Sequence, residues 1–293
     1  MTTQSIRAEA ATPPGTITLR VLTWNIWGTE GPEERQDALR DTITALDPDL
    51  VSLQEVARSD GRDQLSHVLG GTGLTGVHQL DVMAAPSVGT ALASRWPPKS
   101  VVGSILPSPP GSMVCNLLAA TIPLPIGADL LFLAVKPYWA QDGEAYRARS
   151  AVAMADVAEA LGGPAPTIIA GDFDGTPDSD ALRFLAGGHA IDGRSVHYLN
   201  AWDVAGDGGP GHTWTTNCRW VADCVEDGWI QPGHARRIDH ILVRGPDAYL
   251  TPGRERAPKV RATVQECRVV GVDPPVSDHY GVLATIELTV LGA

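Results

Sequence analysis

The chain has 293 residues, 43% of them hydrophobic and 19% charged, which allows a large buried core and excludes a disordered chain. A formal charge of −12 and a pI of about 5.0 argue against a processive, high-affinity nucleic-acid binder, which needs a basic stripe to displace counterions from phosphates. The densest basic stretch is Arg254-Glu255-Arg256 with Lys259 and Arg261, although bound cations can offset an acidic surface locally.

The four cysteines (Cys115, Cys218, Cys224, Cys267) form no CxxC pair and lack a histidine spacing suited to zinc. Cys218 and Cys224 either close a loop disulfide or, as a reducing compartment favours, stay free thiols. The first fifteen residues contain no apolar signal core, and no apolar run reaches the roughly 18 residues of a membrane span. A soluble, cytoplasmic protein is therefore expected, with a disordered tail over residues 1–15 and one domain over 16–293.

Ile17, Leu19 and Val21 alternate with polar residues and run into Leu22-Thr23-Trp24, which predicts a first strand. After a loop at 28–32, Pro32-Glu33-Glu34 opens a helix with an acidic first turn; Leu39, Ile43 and Leu46 form its apolar face, and Asp47-Pro48-Asp49 ends it. Residues 50–55 form a short apolar strand that stops at Glu55. A short helix near Leu65, a glycine-rich turn from Gly70 to Gly76, further strands and a strand over 90–95 follow.

Strands are predicted at 112–123 and 130–135, then an alanine-rich helix over 146–161 stopped by Gly162-Gly163-Pro164. Thr167-Ile168-Ile169-Ala170 reads as a buried strand delivering Gly171-Asp172, and 178–185 as a short helix ended by Gly187-Gly188. The stretch 186–236 is irregular and rich in Gly, Trp, His and Asp, a length that usually marks function. Strands over 238–243 and 281–290 close the chain. Helices intermingle with strands that follow one another directly, which predicts an α/β fold built on a pair of mixed sheets.

Five polar fragments fall where strands stop: Thr23-Trp24-Asn25, Leu53-Gln54-Glu55, Gly171-Asp172-Phe173-Asp174, Arg237-Ile238-Asp239-His240 and Ser277-Asp278-His279. Strand ends that converge on one sheet edge assemble a pocket from distant sequence. Taken singly, each has a plainer reading: a turn-forming asparagine, a surface Glu55, a capping Asp172, an Asp239 paired with Arg236 or Arg237. Their order and spacing together point to an acidic, metal-dependent site for phosphate esters. Because they span 25–279, dividing the chain into two domains would divide the site.

With these fragments in this order, the sequence resembles the endonuclease/exonuclease/phosphatase superfamily, in a bacterial branch, over residues 17–290. The resemblance rests on Trp24-Asn25, Gln54-Glu55, the G-x-A-x-x-S-R-x-P run from Gly89 to Pro97, and GDF-x-x-x-PDS from Gly171 to Ser179. It continues through Gly211-His212-Thr213-Trp214, RIDHILV from Arg237 to Val243, and Ser277-Asp278-His279. It implies a DNase I-like α/β fold: a four-layer sandwich, two mixed β-sheets packed face to face with helices outside, and a site at one rim of the sheets.

The resemblance also implies Mg²⁺ or Mn²⁺ bound by Glu55 with help from Asn25, and Asp278 in or beside the metal's ligand shell. It implies a water oriented or deprotonated by Asp172, and His279 held by Asp239 against the scissile phosphate. The chemistry agrees: hard carboxylate and amide oxygens suit Mg²⁺, and a carboxylate beside an imidazole favours its charged form. Phosphoryl transfer depends on position and charge neutralisation.

Two positions depart from the family pattern. A histidine is usual after the central strand, in a T-H-L-like fragment; here 131–135 lead into Lys136-Pro137-Tyr138-Trp139. Matching Lys136-Pro137 to the H-K-P of some bacterial relatives sets Val135 in the histidine's place, which is the preferred alignment; a shift of one sets Lys136 there. Neighbouring strand side chains face opposite ways, so one cannot simply stand for the other. A lost charge-stabilising donor costs roughly 10²–10³ in rate. The second departure is Asp174 where asparagine is common, which adds negative charge beside Asp172 and Glu55 and demands a proton or a further cation.

The resulting expectation is a Mg²⁺-dependent (or Mn²⁺-dependent) phosphoesterase acting on a mono- or diester of a small molecule or nucleotide rather than long DNA. Asp172, Asp174, Asp239 and His279 would be catalytic, and Lys136, Trp139, His212 and Trp214 would line the substrate pocket. The alternatives are a fold recruited for a non-hydrolytic biosynthetic step and a non-catalytic ligand-binding relative. Trp202, Trp214, Trp220 and Trp229 read as loop-packing anchors before substrate stackers. His240 should face away from Asp239 and pack between layers, His67, His78, His189 and His197 read as surface or loop residues, and Arg237 as a carboxylate partner.

Overall fold

Period-two alternation gives each central strand an inner and an outer face, and the whole architecture follows from that division. The computed structural model describes residues 15–162, 165–245 and 259–291. Its elements begin with β1 (Thr16–Asn25), α1 (Glu34–Leu46), β2 (Leu50–Ser59), β3 (Arg62–Asp63), α2 (Gln64–Val68) and β4 (Thr75–His78). They continue with β5 (Val88–Ser94), β6 (Ser100–Leu106), β7 (Cys115–Pro123), β8 (Asp129–Lys136), α3 (Glu144–Gly162), β9 (Thr167–Asp172) and α4 (Asp180–Leu185). Short elements follow: β10 (Leu199–Asn200), α5 (Ala201–Ala205), β11 (Trp214–Thr215), α6 (Ala222–Glu226) and β12 (Ala235–Arg236). Then come the long strands β13 (Asp239–Arg244), β14 (Lys259–Val270) and β15 (Gly281–Leu291).

One sheet runs β14-β15-β1-β2-β5-β4, with β3 on β2; the other runs β10-β13-β9-β8-β7-β6. Both are mixed: β1–β2 and β8–β9 are parallel, and their other described neighbours are antiparallel. The sheets pack face to face. Leu19, Val21 and Leu50 of the first meet Phe132, Ala134, Ile168, Ala170 and Ile241 of the second in one buried core, and Ser52 Oγ donates to the Ala170 carbonyl across it at 2.8 Å. Leu22, Trp24, Val51 and Leu53 point outward onto Leu39 and Ile43 of α1. Leu131, Leu133 and Val135 point outward onto Ala151, Met154 and Ala155 of α3. Two sheets with helices outside are the four layers that the sequence leads one to expect.

Two long strands escape the sequence patterns, for opposite reasons. β14 pairs with β15 along its length, but a bulge between Val264 and Glu266 breaks its alternation. β6 is an edge strand with no continuous buried face, so it has no apolar period to detect. The expected tail lies outside the described residues except for Gly15, whose carbonyl accepts from Val290 N. Arg254, Glu255 and Arg256 also lie outside them, as do the helix-stopping Gly163 and Pro164. Cys115, Cys218, Cys224 and Cys267 are free thiols. His78 is fully buried rather than superficial, its ring capping the turn at Leu80 and reaching the Val56 carbonyl.

Gly171 shows how closely β8 and β9 approach at the end that carries the site. A Cβ there would sit 2.2 Å from the Val135 carbonyl oxygen, an atom of the neighbouring backbone that cannot rotate away. Gly171→Ala is expected to destabilise the fold by about 3 kcal/mol, the upper end of ordinary overpacking. Urea denaturation checks this; an unchanged midpoint would show that the strands have slack.

Candidate active site

Inner-face residues at the last positions of adjacent strands make the site. On the second sheet, Val135 pairs in parallel register with Gly171, so Lys136 and Asp172 follow side by side. Asp172 is in turn directly opposite Asp239 on antiparallel β13. All three continue the faces that carry Ala134, Ala170 and Ile241 in the inter-sheet core. On the first sheet, Asn25 continues the face of Val21, but Glu55 should point outward with Leu53. It does not, because the register with β5 shifts between Leu53 and Val56 and Glu55 takes a left-handed φ of 57°. The bulge turns its carboxylate back into the site, at the cost of a backbone conformation that non-glycine residues rarely hold.

Asn25 Nδ2 donates to Glu55 Oε1 at 2.8 Å and to Asp172 Oδ2 at 3.0 Å, while its amide oxygen accepts from Trp27 N. Asn25 therefore ties two carboxylates together from opposite sheets. Lys136 Nζ donates to Asp172 Oδ2 and Asp174 Oδ2, both at 2.5 Å, and lies 4.0 Å from Glu55 Oε1. His279 Nδ1 meets Asp239 Oδ2 at 2.9 Å, and its Nε2 is 3.8 Å from Asp172 Oδ2. Trp24 Nε1 holds the His279 carbonyl, and Ser277 Oγ donates to the Asn25 carbonyl, so the first and last fragments lock together.

Five carboxylates (Glu55, Asp172, Asp174, Asp239, Asp278) crowd around Lys136 and His279, with the guanidinium groups of Arg236 and Arg35 farther out, and burial sharpens the competition. Burial alone would neutralise Lys136, but Asp172, Asp174 and Glu55 outweigh it and hold the ammonium charged. Burial opposes charge on His279 as well; Asp239, Asp172 and Asp278 win, and its pKa stands well above the ordinary 6.5. Asp172 is buried too, yet Lys136 and His279 keep its carboxyl well below the usual range. Burial and then Asp172 push Asp174 up to about 6. Burial, followed by Glu55, pushes Asp278 up to about 6 as well. Asp172, Asp239 and His279 place ligand atoms within 4.8 Å of one another, a spacing that could hold a metal.

Of the two residues that could stand in the family histidine's place, Lys136 is the one that faces the site. Val135 is buried against Leu133 and Met154 in the outer core, and the site faces Lys136. Lys136, Trp139 and Trp214 line a cavity of about 250 Å³ with Glu55, Asp174, Trp229, Arg236 and His279. His212, half-buried, is not among its lining residues; its neighbour Thr213 matters instead. Thr213 Oγ1 accepts from Ile238 N and Asp239 N, and its carbonyl accepts from Tyr280 N at 2.7 Å, which joins the Asp239 and His279 segments.

Arg236 donates to the Asp174 carbonyl and Arg237 to Asp203, so neither pairs with Asp239. His240 lies on the outer face, held by Asn200 and the Gly175 carbonyl. Arg95 of the Gly89–Pro97 run pairs with Asp49 and Asp47, beside the start of β2 and away from the site. Trp202 and Trp220 pack in the loops, each indole N–H on a carbonyl. Trp229, 72% exposed, does not pack and stands on the cavity wall. Arg35, absent from every sequence motif, donates to the Ile26, Gly28, Glu30 and Val276 carbonyls and so anchors the loops after Asn25 and before Asp278.

Acidic strand ends, one ammonium and one imidazolium at the rim of two facing mixed sheets define a DNase I-like architecture. The Endonuclease/Exonuclease/phosphatase family model matches residues 22–279, and the chain belongs to this family, a superfamily of phosphoesterases. Among solved structures it is similar to the endonuclease/exonuclease/phosphatase from Bacteroides vulgatus, at 19% identity and a TM-score of 0.68, over 93% of this chain and 99% of that one. It is similar to D. rerio TDP2 complexed with single strand DNA product, at 20% identity and a TM-score of 0.65, over 92% and 98%. It also resembles the endonuclease/exonuclease/phosphatase from Beutenbergia cavernae, at 22% identity and a TM-score of 0.63, over 94% and 72%. No curated protein matches it significantly in sequence. Among the described residues, no helix is long and apolar enough to cross a membrane.

Proposed function

We propose that this protein is a divalent-metal-dependent hydrolase of phosphate mono- or diesters, acting on a nucleotide or small molecule. The observation that carries the reading is the His279–Asp239 pair, with Nε2 of His279 3.8 Å from Asp172 and Asn25 joining that same carboxylate to Glu55. Glu55 and Asp278 would hold the cation: both offer hard oxygens, and a cation offsets both the burial and the neighbouring Glu55 charge that raise Asp278. When bound, the ion supplies Lewis-acid neutralisation of phosphate oxygens.

The protein's own groups do the rest. Asp172, kept ionised by Lys136, accepts a hydrogen bond from the attacking water and aims its lone pair at phosphorus. Asn25 fixes that carboxylate's orientation. His279 presents Nε2–H to the phosphate as negative charge builds, steadied by Asp239. The exposed indoles of Trp139 and Trp229 on the cavity wall favour a substrate with an aromatic part, as a nucleobase offers a stacking face. The similarity to a TDP2 that holds single strand DNA product supports a second substrate reading, a nucleic-acid end, which the same cavity would take one nucleotide at a time.

The test is turnover of a panel of phosphate mono- and diesters, nucleotides and short single strands, with Mg²⁺ or Mn²⁺. Glu55→Gln is expected to lower metal-dependent kcat/KM by about 10²-fold or more. Turnover equal in Glu55→Gln and wild type, or none in either, would sink the reading; product analysis without phosphate-ester cleavage would favour the recruited, non-hydrolytic alternative.

Metal binding should also depend on pH. Asp174 and Asp278 have folded pKa values of about 6, above the ordinary 3.8. Their contribution to stability is present below 3.8 and is lost as pH rises through about 6. The imidazolium of His279 acts in the same sense, its contribution being lost above its raised pKa. Saturating Mn²⁺ is therefore expected to raise Tm more at about pH 7.5 than at about pH 5, since the ion must displace protons at the lower pH. Equal shifts in thermal melts at both pH values would show that Asp278 does not hold the ion.

A further inference from the structure

The Lys136 ammonium stands where three carboxylates converge. It is the last residue of β8, 5% exposed, with Nζ 2.5 Å from Asp172 and Asp174 and 4.0 Å from Glu55. Asp174 is turned toward it by a left-handed φ of 50°, and its backbone N–H donates to Asp172 Oδ1 at 3.0 Å, which sets the two carboxylates side by side. Without Lys136, these oxygens would form a buried acidic cage of the kind that collects a hard divalent cation. We propose that Lys136 is a built-in counter-cation that occupies this cage, so that the site takes one divalent ion, on the Glu55 and Asp278 side, instead of two.

The compensation is chemical as well as electrostatic. An ammonium has three N–H donors, and two of them are accounted for by Asp172 and Asp174. The third can serve a phosphate oxygen, so one side chain holds the water-orienting carboxylate and neutralises substrate. A metal in the same place would need replacement whenever it dissociated; a lysine stays.

The inference rests on the metal-binding reading above and is tested by counting ions rather than by turnover. Mn²⁺ titrations of the full chain, read by the EPR signal of free Mn²⁺ and by calorimetry, are expected to give one ion per wild-type chain. K136M should bind two, and K136R, which keeps the cation, should bind one. Should K136M fail to fold by circular dichroism, K136Q serves in its place. Two ions on wild type, or one ion on both wild type and K136M, would overturn the proposal and leave the metal-dependent reading standing. No ion on either chain would overturn both.

Discussion

Asp172→Asn is expected to lower kcat by on the order of 10³-fold, within the 10²–10⁴ range for a positioned proton-transfer partner. The substitution is nearly isosteric, so the loss reports charge and hydrogen-bond direction. Asp172 Oδ2 accepts from Asn25 and from Lys136, and Oδ1 accepts from Asp174 N. An amide keeps one acceptor. If that oxygen stays on Asp174 N, its NH₂ group faces two donors; if it flips, Asp174 N loses its partner. Lys136 loses one of two bonded carboxylates, and a buried charge left short of partners destabilises the fold by about 3 kcal/mol. The two effects separate cleanly. A folding defect shows in urea midpoints and scales the fraction of active protein, whereas loss of the oriented water lowers kcat of the folded fraction with KM little changed. Turnover within tenfold of wild type would remove Asp172 from the reaction.

His279→Ala should cost about 10²–10³ in kcat, the range for removing one donor aimed at developing charge. Its partner allows a sharper experiment. The proposed form is the imidazolium, and Asp239 leads the carboxylates that keep it charged against burial. Wild-type activity should hold through neutral pH and fall on the alkaline side as His279 deprotonates. Asp239→Asn removes that negative neighbour, so the alkaline fall should move toward neutrality while the acid limb stays. A merely structural Asp239 would lower activity at every pH alike. Superimposable pH profiles for wild type and Asp239→Asn would refute the charged-histidine assignment.

Much of the site is legible in the sequence itself. Asn25, Glu55, Asp172, Asp239 and His279 were all proposed from fragments at strand ends, and the structure gathers them through direct contacts among Asn25, Glu55 and Asp172 and between Asp239 and His279. The four layers followed from apolar runs of strand length alternating with helical faces. Arg35 and Thr213 were not proposed because they act on backbone carbonyls and amides of distant loops, and such partners leave no mark on local residue spacing. Trp202, Trp220 and Trp229 look alike in sequence; only the loop's path decides that the first two are covered and the third is bare.

Sequence alone determined the central strands of both sheets, though not β6 or β14, and which polar residues end them, because a period of two and a terminating polar group are local properties of the chain. Tertiary structure decided which of those end residues face the site. Glu55 has outward parity and reaches inward through a bulge against β5, and Lys136, not Val135, enters because β8 runs in parallel register with β9. Asp174 meets Lys136 for the same reason: the cation that its extra charge demands comes from a strand 38 residues away. Register and bulges arise from pairing between distant strands, so a single residue of slip reverses every side chain, and no local pattern carries that information.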